Sequence, residues 1–162
     1  EETRALGADL YVPAEFNALQ DSLNAINELI EARKGKLFAS FSEVKTKLAQ
    51  ITEQSVAVKA SAETRKAEVQ AEVDAMMTEV NTLVTEAKTL VSSAPKGKEG
   101  AAAVEAISAE VAAVEASAAE ATSLVEQGKW MEALDKLKAA KEKVGAVKTE
   151  LETVIAKFKG RR

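Results

Sequence analysis

Carboxylates and ammonium groups are the only abundant reactive side chains in this 162-residue sequence: 26 Asp and Glu, 22 Lys and Arg, no cysteine and no histidine. Pairs such as Glu1-Glu2, or Glu150 with Glu152, are the groups that general acid–base chemistry uses. That chemistry needs an enclosed pocket and separated pKa values. These carboxylates alternate with lysines along helix-period segments, which is the pattern of solvated faces, so no catalytic residue is assigned. Thiol nucleophiles, His-based triads and Cys/His zinc sites are excluded by composition. Carboxylate metal sites in helical bundles use Glu-x-x-His, which a chain without histidine lacks. Neither a metal nor a cofactor is expected.

Two basic clusters remain. Pro95-Lys96-Gly97-Lys98-Glu99-Gly100 has glycines and lysines but neither the Gly-x4-Gly-Lys-Ser/Thr spacing of a phosphate loop nor a preceding strand, and it reads as a turn. Lys157-Phe158-Lys159-Gly160-Arg161-Arg162 is too short a cluster for a nucleic-acid surface and reads as a fraying, solubilising end. Net charge is −4, unevenly placed. Residues 99–128 carry six glutamates and no Lys or Arg, whereas 129–162 carry ten Lys/Arg against five Asp/Glu. Consecutive segments of opposite charge are expected to fold against each other, which weakens any nucleic-acid reading. No apolar run approaches the roughly 20 residues that span a bilayer.

The elements that hold these side chains are helical. Alanine fills 32 positions and aromatics only 4%. That favours helices while building a thin core. Phe16, Leu19, Leu23, Ile26 and Ile30 form one apolar stripe, predicting a helix over about 13–34 that Pro13 starts and Gly35 stops. A second helix over about 36–93 carries Leu37, Phe41, Val44, Leu48, Ile51 and Val58, then Val69, Val73, Met76, Val80, Leu83, Ala87 and Leu90. Residues 59–68 between these stripes hold only alanine, polar and charged side chains, so the registers join through one inserted four-residue step or a break near Ser61. Further helices are predicted over about 100–127 and 129–159. Residues 1–10 read as the end of an earlier helix, stopped near Gly7.

Gly35-Lys36-Leu37-Phe38-Ala39-Ser40-Phe41 is echoed by Gly128-Lys129-Trp130-Met131-Glu132-Ala133-Leu134, marking two helix-turn-helix units. The expected fold is all-α: elongated antiparallel hairpins forming a three- to four-helix bundle, 1–162 as one domain. The aromatics near helix ends are expected to plug the turns. The first hairpin has too little core to stand alone, so its stripes are expected to meet another subunit, domain or segment.

Gly7-Ala8-Asp9-Leu10-Tyr11-Val12-Pro13-Ala14-Glu15 resembles a family of bacterial Ala-rich helical proteins of unknown function, in which Gly-Ala-x-x-Tyr-x-Pro-x-Glu opens a helix. The family's Gly-x-aromatic-x-x-Ala hairpin is similar to Gly128-Lys129-Trp130-Met131-Glu132-Ala133. Gly35 is followed by Lys-Leu-Phe where the family carries an acidic-aromatic pair. The resemblance implies an exported protein of the periplasm, outer envelope or exterior, and transfers no catalytic residue. Glu1 in place of an initiator Met is read as the mark of a processed or truncated product.

These readings converge on a non-enzymatic structural or interaction component of the bacterial envelope or exterior. It would be a homo-oligomer or bind a partner protein by coiled-coil-like packing. The expected contact residues are Phe16, Leu19, Leu23, Ile26, Ile30, Leu37, Phe41, Val44, Leu48 and Ile51. The alternative is an amphipathic protein of lipid surfaces, peripheral to the membrane, or a holdase-like chaperone, drawing on the alanine-rich helix over 100–127.

Overall fold

The computed structural model describes the backbone of residues 1–34, 40–94 and 98–159, and the side chains of these residues except at 98–100 and 158–159. The described residues are 92% helical and contain no strand. The order is α1 (Glu2–Ala5), α2 (Ala8–Tyr11), α3 (Pro13–Arg33), α4 (Ser42–Ser93), α5 (Lys98–Glu126) and α6 (Trp130–Lys159). The chain divides into two compact units, 1–68 and 69–162, with the division falling inside α4. The Gly35-Lys36 turn, Leu37, Phe38, the Pro95-Lys96-Gly97 turn and the Gly160-Arg161-Arg162 end lie outside the described residues.

In the first unit, α3 and α4 run antiparallel. Arg33 at the end of α3 reaches the Ser40 carbonyl and the Glu43 carboxylate at the start of α4. The helix predicted from about 36 is therefore entered only at Ser42. Ser40 is non-helical, and its hydroxyl accepts a bond from the Ser42 N–H at 3.4 Å. Such side-chain acceptors compete with the helix and favour its boundary. The core of this unit is Ala8 and Val12, with Phe16, Leu19 and Ile26 from α3 and Val44, Ile51, Val58 and Ala62 from α4.

The helix end read over residues 1–10 is α1, stopped at Gly7, and a second short helix, α2, follows where a connector was expected. Gly7 adopts φ +76° between α1 and α2, a left-handed conformation that side chains avoid. Its N–H bonds the Arg4 carbonyl at 2.8 Å, closing α1, and its carbonyl accepts from Leu10 and Tyr11 to open α2. Ala8 is fully buried and Thr3 nearly so. Pro13 occupies the first turn of α3 with Glu15 beside it, where a fixed φ and an anionic side chain suit a helix N-terminus. The Gly-Ala-x-x-Tyr-x-Pro-x-Glu stretch is thus a folded joint, with the Tyr11 ring lying against Gly7.

The second unit is a three-helix arrangement. Lys88 of α4 pairs with Glu115 of α5, and Lys136 of α6 with Glu120 of α5. Lys141 and Lys148 of α6 pair with Glu79 and Glu86 of α4 at 2.8 and 2.6 Å. These pairs set α5 antiparallel to both neighbours and α6 parallel to α4. The basic α6 thus divides its cations between acidic α5 and α4, where the charge pattern alone predicts mutual attraction of α5 and α6. Leu134, Leu137 and Leu151 are the largest fully buried side chains and fill the centre with valines of all three helices. Ile155, rather than Val154, is the buried residue at the far end of α6.

Two further readings resolve in α4 and at Gly128. Among the described residues α4 is unbroken through Ser61. Its buried positions change period: Val44, Ile51 and Val58 are heptad-spaced, whereas Val58, Val69 and Val80, and in parallel Ala62, Val73 and Val84, recur every eleven residues. A sustained eleven-residue spacing, at about 3.67 residues per turn, replaces the single inserted step expected from sequence. It also buries Val84 and leaves Leu83 half-buried. Gly128 at φ +75° ends α5: its N–H bonds the Val125 carbonyl and the Lys129 N–H bonds the Leu124 carbonyl, both at 2.9 Å. This is a Schellman motif, which needs a residue tolerant of positive φ.

Candidate interaction surface

Heptad positions organise the first unit. On α3, Leu19 and Ile26 point at α4, and Val44, Ile51 and Val58 point back; this row is at most 9% exposed. A second row lies one step around each helix: Phe16, Leu23 and Ile30 on α3, and Leu48, Ser55 and Ala62 on α4, with Phe41 just before α4. Because α3 and α4 run in opposite directions, rotation by the same angle in the same helical sense carries both second rows to one flank of the hairpin.

That flank is closed at one end. The Arg4 guanidinium lies 5.4 Å from the centroid of the Phe16 ring, a cation–π contact. Glu2 forms an ion pair with Lys59, adjacent to Ala62 on the same side of α4. The lysine is a direct hydrogen-bond partner of Glu2 and holds that carboxyl below the ordinary value. Phe16 and Ala62 are consequently buried. Burial also pushes the Tyr11 phenol up from its usual pKa.

Beyond this cover the flank is open. Leu23, Phe41 and Leu48 are 41–43% exposed and Ile30 is half-buried. The side chains that border this row are the neutral Gln20, Asn24, Asn27, Ala49 and Thr52, with one cation, Lys45, lying between Phe41 and Leu48. The opposite flank differs. There a small groove of about 190 Å³ is lined by Ser22, Lys47, Gln50 and Gln54 above Ile26 and Ile51.

Of the ten residues singled out in sequence for partner contact, Phe16, Leu19, Ile26, Val44 and Ile51 are buried within the chain's own core. Ile30 lies at its edge. Leu23, Phe41 and Leu48 are the three that face outward, and Leu37 lies outside the described residues. The periodicity that marked all ten marks an apolar stripe; it carries no information on which half of the stripe the neighbouring helix covers. Val56, about 160° around α4 from the buried Val58, points away from α3 and is not part of this flank.

Elsewhere, an open apolar trough of about 600 Å³ lies along α4 and α5, lined by Val91, Ala94, Ala101, Val104 and Ala109 with Glu105 and Ser108 at its border. Among the described residues no group of three or more acidic side chains is placed to hold a metal ion, and no helix is long and apolar enough to cross a membrane. No protein-family model, curated protein or solved structure matches the chain.

Proposed function

We propose that this chain is a non-enzymatic helical interaction component, one that associates through the open flank of its first unit. The observation carrying this reading is that Leu23, Phe41 and Leu48 remain over 40% exposed on a single flank of the hairpin. Large apolar side chains grouped this way mark interaction sites, whereas scattered ones do not. A two-helix hairpin also buries little area by itself, so covering this face adds to a thin core. The resemblance of Gly7–Glu15 to envelope proteins supports placing the interaction in the periplasm, outer envelope or exterior of a bacterium.

A photo-reactive phenylalanine analogue at position 48, activated in cells of the source organism, tests the reading. A discrete cross-linked product is expected; none, with cross-linking equally absent at positions 23 and 41, overturns it. Fractionation of the same cells tests the location, which a product confined to the cytosol would refute.

The trough along α4 and α5 favours a second reading, adsorption to lipid surfaces or unfolded apolar chains. Flotation with liposomes at low salt measures this directly: protein left at the bottom of the gradient, together with no protection of an aggregating client, removes it.

A further inference from the structure

The first unit is fastened unevenly at its N-terminal end. Its buried cluster begins at Ala8, and α2 is anchored there by Ala8, which is fully buried, and by Val12 at its end. On the other side of Gly7, α1 places no apolar side chain in that cluster: Ala5 and Leu6 are exposed, and Thr3 is its one buried residue. Two charged contacts hold it down. Glu2, with its side chain 84% exposed, pairs with Lys59 of α4, and Arg4, 64% exposed, lies over the Phe16 ring. Contacts between groups this exposed are individually weak and are screened by salt. A helix of four residues has little stability of its own. It is joined to the anchored part through Gly7 at φ +76°, a residue whose backbone turns without a side-chain penalty. Segments with exposed hydrogen bonds and few buried apolar contacts open at free energies well below that of global unfolding.

On these grounds we infer that α1 is a strap, latched by charge across one end of the open flank, that lifts about Gly7 while α2, α3 and α4 stay folded. Lifting uncovers Phe16 and Ala62 and so lengthens the apolar row that continues through Leu23 and Leu48; closing shortens it. The latch makes the length of that row depend on ionic strength. The use of the uncovered row rests on the interaction reading above, whereas the movement does not, so the two fail separately.

Amide exchange followed by NMR on the full chain tests the movement. The Leu6 and Gly7 amides, bonded to the Glu2 and Arg4 carbonyls, report α1; those of Tyr11 and Val12, bonded to the Gly7 and Ala8 carbonyls, report α2. After correction for intrinsic rates, the first pair should exchange at least about 10-fold faster than the second. Lys59→Gln should speed the first pair by a further factor of roughly 2 to 5, the range for one exposed ion pair, and leave the second pair unchanged. Raising salt to about 0.5 M should have the same effect on the wild type. Lys47→Gln, which removes a pair with Glu43 elsewhere on α4, should alter neither. The chain has no cysteine, so thiol labelling of an Ala62→Cys variant reads the uncovering directly, and its rate should depend on urea far less steeply than unfolding of the hairpin does. Four amides that exchange together overturn the inference, as does a Lys59→Gln variant that leaves the α1 amides unchanged or a thiol that reacts only on global unfolding. A strap that lifts in a protein giving no cross-link from positions 23, 41 and 48 overturns the interaction reading alone.

Discussion

Replacing Gly145 and Gly128 separately by alanine should move the stability of residues 69–162 in opposite directions. Gly145 lies inside α6, and a Cβ built on it meets no atom within 4 Å. Nothing in the packing requires a glycine there, so alanine should recover the propensity deficit of about 0.8–1.0 kcal/mol. Gly128 is equally uncrowded but has φ +75°. Alanine in that conformation costs roughly 1–2 kcal/mol, offset by about 0.4–1 kcal/mol from the reduced freedom of the unfolded chain. The net is a loss near 1 kcal/mol. Trp130 is the sole tryptophan and sits half-buried at the start of α6, so its fluorescence follows this unit during urea denaturation. With a urea dependence of about 2 kcal/mol per molar, the midpoints should shift by roughly 0.5 M, upward for Gly145→Ala and downward for Gly128→Ala. The double variant should return close to wild type, since distant sites add. Shifts of the same sign would refute the assignment of backbone conformation, rather than space, as the property that separates these two glycines.

Other consequences can be measured on the same material. Leu137→Ala removes a fully buried side chain at the centre of the three-helix unit and should cost about 2–5 kcal/mol by the same fluorescence assay; a loss under 1 kcal/mol would mean that this centre is not the unit's core. Tyr11 is the only tyrosine, and burial favours its neutral form in the fold. Spectrophotometric titration should therefore give an ionisation midpoint above that of a free tyrosine, and the stability contributed by Tyr11 should be full below about pH 10 and fall as pH rises through the folded value. Lys148, raised by its hydrogen bond to Glu86, loses its contribution in the same direction above about pH 10.4. Glu2 behaves oppositely: its lowered pKa makes its contribution complete above about pH 4.3 and lost as acid protonates it, so Glu2→Gln should flatten the acid limb of the stability profile. Reversing Glu79 and Lys141 singly should destabilise α4–α6 packing modestly, and reversing both should restore it, with a coupling of about 0.2–1 kcal/mol typical of exposed pairs.

How far the sequence carries can be judged from single residues. The starts of α3 and α6 and the end of α5 were legible because Pro13, Trp130 after Gly-Lys, and Gly128 act locally, through fixed φ, a fresh apolar period and tolerance of positive φ. The start of α4 was not, because Arg33 and Ser40 set it by contacts across the turn. Residues 1–10 were read as the end of a helix stopped near Gly7, which α1 matches; the second short helix, α2, was not legible, because Ala8 is buried only where the end of the α3–α4 hairpin lies beside it. The period change in α4 was visible as two stripes that failed to align. Its continuation over eleven-residue intervals depends on which valines α5 and α6 cover.

What the amino-acid order determined by itself is the helical class, the antiparallel order and the absence of sulfur and imidazole chemistry, since these follow from composition, propensity and short-range spacing. What the tertiary structure decided is the division of each apolar stripe into core and surface. Leu19 and Leu23 are the same residue type on the same stripe, yet one is 5% and the other 41% exposed. The difference lies in a rotation of roughly 40° around α3, fixed by where α4 packs and where α1 stops, and contacts of that range leave no mark in local sequence.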